Sequence, residues 1–244
     1  MAYYRFSATR SGETPAEILK NSSGTLVVYG YTGYNVVTTP EGRDRSGCWA
    51  HVRRKFFEAR SYAPTESEHI LQEILELYRV EYEAVQRSIV GKPIHTQLRQ
   101  QKSGPVLDRI KKWLNDQKTE HLPESPFGKA ITYALNQWTY LNHYLSDGNI
   151  PIDNNLSERR LRVIALGRKN YLFAGHDMAA QNLAILHSLV VTCEMHGVNP
   201  EAYLKDVLLR VQTHPNKNIA DLLPHRWKEL FGPNIPDGLI ENIN

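Results

Sequence analysis

The segment Ile150 to Gly175, IPIDNNLSERRLRVIALGRKNYLFAG, holds the residues with the most chemical content. Glu158 falls in the first turns of a predicted helix that opens with Asp153-Asn154-Asn155. Arg159, Arg160, Arg162, Arg168 and Lys169 follow it. A carboxylate is the hard oxygen donor that Mg²⁺ prefers, and neighbouring arginines suit phosphate oxygens. One such acid supplies one ligand, whereas in-line attack on a phosphodiester is assisted by two ions held together. The same spacing also describes a capped surface helix with solvated arginines and a local Glu–Arg pair. A second basic run, Arg53-Arg54-Lys55 with Arg60, lies upstream. If both runs border one face, they form a track for phosphates.

These residues need elements to carry them. Residues 2–8 are aromatic-rich and read as a short strand, and 16–20 as one or two helical turns. Thr25 to Tyr29 is β-branched and apolar, stops at Gly30, and reads as a buried strand. Residues 36–46 are polar, contain Pro40 and Gly42, and read as a loop. In 48–60, Trp49, Val52, Phe56 and Ala59 recur at helical spacing. A long amphipathic helix is predicted from Glu66 to about Ser88, with others at 106–116 and 127–145. Further helices are predicted at 153–170, 179–196 and 201–213. The Pro-, Asn- and Gly-rich stretch beyond Pro215 reads as a loose tail.

Bulk properties exclude more than they select. Apolar residues make up 41% and charged residues 23% of 244, which is ordinary for a soluble globular chain. The net charge is only +3, and the segment 153–170 alone carries that value, so the distribution of charge matters more than its sum. Cys48 and Cys193 lie far apart without zinc-ligand spacing and read as reduced thiols. The N-terminus lacks an apolar signal region, and no stretch reaches the ~20 apolar residues of a membrane span. A cytoplasmic protein with no membrane partner is the expectation. Of Trp49, Trp113, Trp138 and Tyr171 most fall at apolar helical positions, and they read as core rather than stacking platforms. His51, His143, His176 and His187 show no partner in the sequence and read as structural.

The runs Pro151-Ile152-Asp153-Asn154-Asn155-x-x-Glu158-Arg159, Ala165-Leu166-Gly167-Arg168-Lys169-Asn170 and Leu172-Phe173-Ala174-Gly175 resemble the signature of insertion-sequence-66 family transposases. Gly47-Cys48-Trp49-Ala50-His51-x-Arg53-Arg54-Lys55-Phe56 resembles a second block of that family, and Gly30-Tyr31-x-Gly33-Tyr34-Asn35 a third. Weaker likeness covers Arg10 to Pro15, while Gly197 to Leu204 and Leu222-Leu223-Pro224 resemble its C-terminal end.

The resemblance implies an α/β fold, mostly helical by content: a partial RNase H-like catalytic domain interrupted by a helical insertion. Residues 1–63 would be the remaining sheet with a basic helix, and 64–146 the insertion. Residues 147–214 would be the C-terminal helical part bearing Glu158, and 215–244 a loose tail. It also implies an Asp-Asp-Glu triad that binds Mg²⁺ and cuts and joins double-stranded DNA. Glu158 matches the third acid and is the one metal ligand carried over. The second belongs immediately before Gly30, where this chain has Tyr29, and the first belongs upstream of residue 1. The chain therefore reads as N-terminally truncated and catalytically impaired, with weak or no Mg²⁺ binding.

Asp153 and Asp44 are acids near these positions, and neither matches a family ligand. DNA contact falls to Arg53, Arg54, Lys55, Arg159, Arg160, Arg162, Arg168 and Lys169. Expected protein partners are a second copy or a full-length transposase. Two other readings remain open: a non-enzymatic DNA-binding or transposase-partner remnant, and an active nuclease with replaced ligands.

Overall fold

Apolar periodicity near 3.6 dominates this sequence, and the computed structural model of the protein is correspondingly helical. It describes residues 1–9, 11–38, 43–171 and 173–232, without the side chains of 168–171. Among the described residues are eleven α-helices and one two-stranded sheet, divided between two compact units.

The larger unit spans Arg10–Ser157. Helix α1 (Glu13–Leu19) precedes strand β1 (Leu26–Val27), which pairs in parallel with β2 (Arg45–Ser46); Leu26 lies opposite Arg45 and Val27 opposite Ser46. The predicted strand at 25–29 is thus present but only two residues long. The polar stretch 36–46 predicted as loop contains its partner strand, and a 3₁₀ turn, Thr32–Val37, ends within it.

Then come α2 (Trp49–Glu58), α3 (Pro64–Gln86), α4 (Pro93–Leu98), a π turn at Arg99–Ser103, α5 (Gly104–Glu120), α6 (Pro126–Asn136) and α7 (Trp138–Asn142). Proline stands in the first turn of α3, α4 and α6, where its missing N–H costs nothing, and Pro105 of α5 stands just after the π turn. Ser125 caps α6 by accepting from the Gly128 N–H at 3.0 Å.

Trp49, Val52 and Phe56 of α2 share one core with Ile70, Ile74 and Leu77 of α3, Ile110 and Leu114 of α5, and Phe127 and Ile131 of α6. That core runs across residues 63 and 64, so the expected domain boundary is not a packing boundary. Trp113 and Trp138 pack against it and Trp49 is fully buried within it.

The helix predicted at 127–145 is interrupted at Gln137. The break has a partner elsewhere in the chain. Gly47 N–H donates to the Tyr140 carbonyl at 2.8 Å, and Trp49 Nε1 donates to the Leu141 carbonyl at 3.0 Å, so α7 is bonded to the residue that follows β2 and to α2.

Arg99, 1% exposed, anchors the far end of this unit. Its Nε and Nη2 donate to Glu81 at 2.8 and 2.6 Å. Its Nη1 donates to the carbonyls of Tyr144, Asp147 and Ile150 at 2.7, 2.7 and 2.9 Å. One guanidinium therefore fixes the turn that leads into the Ile150–Asn155 segment.

The smaller unit comprises Met1–Thr9 and Glu158–Asn244. Helix α8 (Asn155–Tyr171) begins three residues before the division; α9 (Asp177–Met195), α10 (Pro200–Arg210), a 3₁₀ segment (Asn216–Leu222) and α11 (Pro224–Leu230) follow. Gly197, at φ +60°, ends α9 in the left-handed conformation that glycine tolerates. Asn199 caps α10 through Oδ1, which accepts from Glu201 and Ala202 N–H. Cys193, Val198, Tyr203 and Trp227 form a small core.

Two expectations fail in this unit. Residues 2–8 form no strand. Ala2 and Tyr4 N–H donate instead to the hydroxyls of Thr192 and Ser188 on α9, at 3.1 and 2.8 Å, so no second strand is needed. The tail is not loose as far as residue 232. Trp227 is buried and donates to Asp206 Oδ2 at 2.7 Å, and the Tyr203 hydroxyl donates to the Leu222 carbonyl at 2.7 Å. Residues 233–244 lie outside the described residues. No helix among the described residues is long and apolar enough to cross a membrane.

Candidate functional site

Tyr29 directly follows the β1 ladder. Val28 N–H still donates to the Ser46 carbonyl at 3.0 Å, and Val28 is buried. Tyr29 turns outward and is 37% exposed. Its carbonyl accepts from Arg45 Nη2 at 3.0 Å, while Arg45 Nη1 donates to Asn35 Oδ1 at 2.8 Å. Its ring stacks on His51 with centroids 5.1 Å apart, and Tyr34 meets it edge-on at 6.1 Å. The position implied for the second acid is therefore part of an aromatic stack. His51 thereby gains partners that the sequence did not reveal: the Tyr29 ring, and the Cys48 thiol 3.2 Å from Nδ1.

Glu158 lies half-buried in the first turn of α8. Arg159 and Arg162 are exposed. Arg160 pairs with Glu194 at 3.6 Å, and its carbonyl accepts from the Tyr4 hydroxyl at 2.8 Å. The side chains of Arg168 and Lys169 lie outside the described residues. Tyr29 belongs to the larger unit and Glu158 to the smaller.

Asp153 is committed where α8 begins. Its Oδ1 accepts from Asn155 N–H at 3.0 Å, and its Oδ2 accepts from the Asn155 amide at 2.7 Å and the Tyr78 hydroxyl at 2.9 Å. Burial, then the adjacent Asp153 charge, pushes the Tyr78 phenol far above its ordinary range and keeps it a neutral donor. Asp44 is exposed in the stretch before β2.

These donors do not fit a two-ion site. A phenol offers one oxygen and ionises near ~10, and Asp153 already accepts three hydrogen bonds. Among the described residues no three acidic, histidine or cysteine side chains converge as metal ligands.

The basic residues of α2 are better placed. Arg53, Arg54 and Lys55 are all exposed. Arg53 and Arg60 lie over the Phe57 ring, 5.9 and 4.4 Å from its centroid, and Lys55 lies 4.7 Å from that of Tyr133. Arg53, Arg54 and Phe57 face Leu75 and Tyr78 of α3 and Asn155 across a groove of about 380 Å³. Sequence reasoning found the arginines but missed Phe57 and Asn155, and it took Tyr78 for a core position. An aromatic on the polar face of a predicted helix was the available signal.

Residues 1–182 match the family described as "Transposase IS66 family", and residues 188–225 match the "IS66 C-terminal element". Three similar proteins come from Sinorhizobium fredii: uncharacterized protein y4jD, 35% identical over 92% of this chain; y4hP, 32% over 93%; and y4qI, 33% over 93%. The matched regions cover 45%, 44% and 43% of those proteins, so this chain spans under half the length of each. No solved structure matches it. With both family profiles matched in order along this helical framework, the chain belongs to the IS66 family of transposases.

Proposed function

We propose that this chain is a DNA-binding transposase polypeptide that does not itself perform metal-dependent strand cleavage. The single observation that carries the reading is Tyr29, a stacked tyrosine where the family pattern implies a metal-binding aspartate. Glu158 stands in the third acid's position, and one carboxylate cannot hold two divalent ions. Helices α3 to α7 are read as the insertion within an RNase H-like catalytic domain, with α2 in the part before it and α8 to α10 as that domain's C-terminal part. Family membership supports this assignment.

Double-stranded DNA is the proposed partner. Exposed Arg53, Arg54, Lys55, Arg159 and Arg162 supply positive charge that neutralises phosphates and displaces counterions, so binding weakens steeply with salt. Arg160, Arg168 and Lys169 complete the proposed set.

The test is incubation of the chain with supercoiled plasmid and Mg²⁺ or Mn²⁺, beside a Glu158→Gln control. The expected result is salt-sensitive binding with no nicking above the control. Metal-dependent nicking that disappears in Glu158→Gln overturns the proposal.

A further inference from the structure

The α2–α3 groove has features that contact with duplex phosphates does not use. Its basic side, Arg53 and Arg54, suits an anion, but its other surfaces are Phe57, 44% exposed, and Leu75, 41% exposed. Phosphate oxygens gain nothing from an aromatic ring and an aliphatic wall. A nucleobase does, because every base has a π face that stacks on aromatic rings and on guanidinium planes. Arg60 lies over the Phe57 ring outside the groove lining, and Arg53, 5.9 Å from the ring centroid, borders the groove, where a seated base would displace it from over the ring. The floor is pre-organised, since Tyr78 and Asn155 are both tied to Asp153. At about 380 Å³ the groove has the volume of a small-molecule site. It cannot admit a duplex, whose major groove alone is about 12 Å wide.

We propose that this groove seats one unpaired nucleotide of DNA, with its base on Phe57 and its phosphate on Arg53 and Arg54. The inference rests on the DNA-binding reading above and adds a preference for unpaired ends or junctions over continuous duplex.

Fluorescence anisotropy of the whole chain at low salt tests it. The probes are a blunt labelled duplex and the same duplex with a short unpaired tail on either strand. The tailed probe is expected to bind about tenfold more tightly, within the range of one stacked base. Phe57→Ala should abolish that advantage, so that the tailed and blunt probes bind alike, and Phe57→Trp should keep it. Arg53→Ala should weaken the tailed complex more than the blunt one. Equal affinity for the two probes, or a tail preference that survives Phe57→Ala, overturns the inference and leaves duplex binding standing. No binding of either probe at low salt defeats the DNA-binding reading itself, and this inference with it.

Discussion

The two units of the chain solve the burial problem to different degrees. In the larger, four helices converge on one core, and Trp49, Val52, Phe56, Ile70, Ile74, Leu77, Ile110, Leu114, Phe127 and Ile131 are fully buried. In the smaller, the core cluster among the described residues is Cys193, Val198, Tyr203 and Trp227, while Leu161, Leu166, Ile185, Leu186, Leu208 and Leu209 are each about half or more exposed. Burial of apolar area at roughly 25 cal/mol per Å² is the main stabilising term, so the larger unit carries most of the chain's stability. The segment bearing Glu158 is thus held by fewer apolar contacts than the helical block before it.

The largest effect should come from Arg99. Arg99→Ala removes five hydrogen bonds and leaves the Glu81 carboxylate without its bidentate partner. Breaking a buried ion pair by removing one partner costs about 3–5 kcal/mol, so the urea midpoint should fall sharply. An unchanged midpoint would show that the larger unit does not depend on this anchor.

A smaller effect should follow acidification. His95 is buried beside Glu81 and Arg99, at 3.4 Å from Glu81 Oε2. Burial, then the Arg99 charge, lowers its pKa from the ordinary value near ~6.5, while Glu81 opposes the shift. The unfolded chain therefore takes up this proton more readily than the folded one. The associated stability is fully present above about pH 6.5 and is lost as the pH falls below it toward the folded value. Urea midpoints at pH 7.5 and about pH 5.5 should differ less in His95→Gln than in the parent chain. An equal difference in both would remove His95 from the account.

The smallest effect marks the contrast between units. Leu209 is 76% exposed on α10, and Leu209→Ser should change stability by no more than about 0.5 kcal/mol. A loss of several kcal/mol in the isolated chain would mean that this face is covered in solution.

What was legible in the sequence follows the same division. Helices α2 and α3 could be read from apolar periodicity, because their inward residues lie on one stripe, whereas α9 could be read from an apolar run that stops at Gly197 and α10 from the proline that opens it. Arg99 could not. RQQKS has no apolar signal, and its burial depends on carbonyls 45 to 51 residues away. The aromatic run at 2–8 has strand composition, but its N–H groups find side-chain hydroxyls instead of a ladder. The tail was misread because a few separated residues, Leu222, Pro224, Trp227 and Phe231, carry its packing amid Pro and Asn. At the candidate site, Glu158 and Tyr29 were visible as positions in a pattern. The groove was not, since Phe57, Leu75 and Asn155 come together only once α2, α3 and the start of α8 have folded.

The central claim is that a tyrosine in place of the second acid leaves the catalytic position of this chain unable to hold its ions. Mn²⁺ binding followed by electron paramagnetic resonance tests it most directly, on the chain as it is and on Glu158→Gln. The account predicts weak titration curves that coincide for the two proteins. Saturable binding at micromolar Mn²⁺ that vanishes in Glu158→Gln would contradict it.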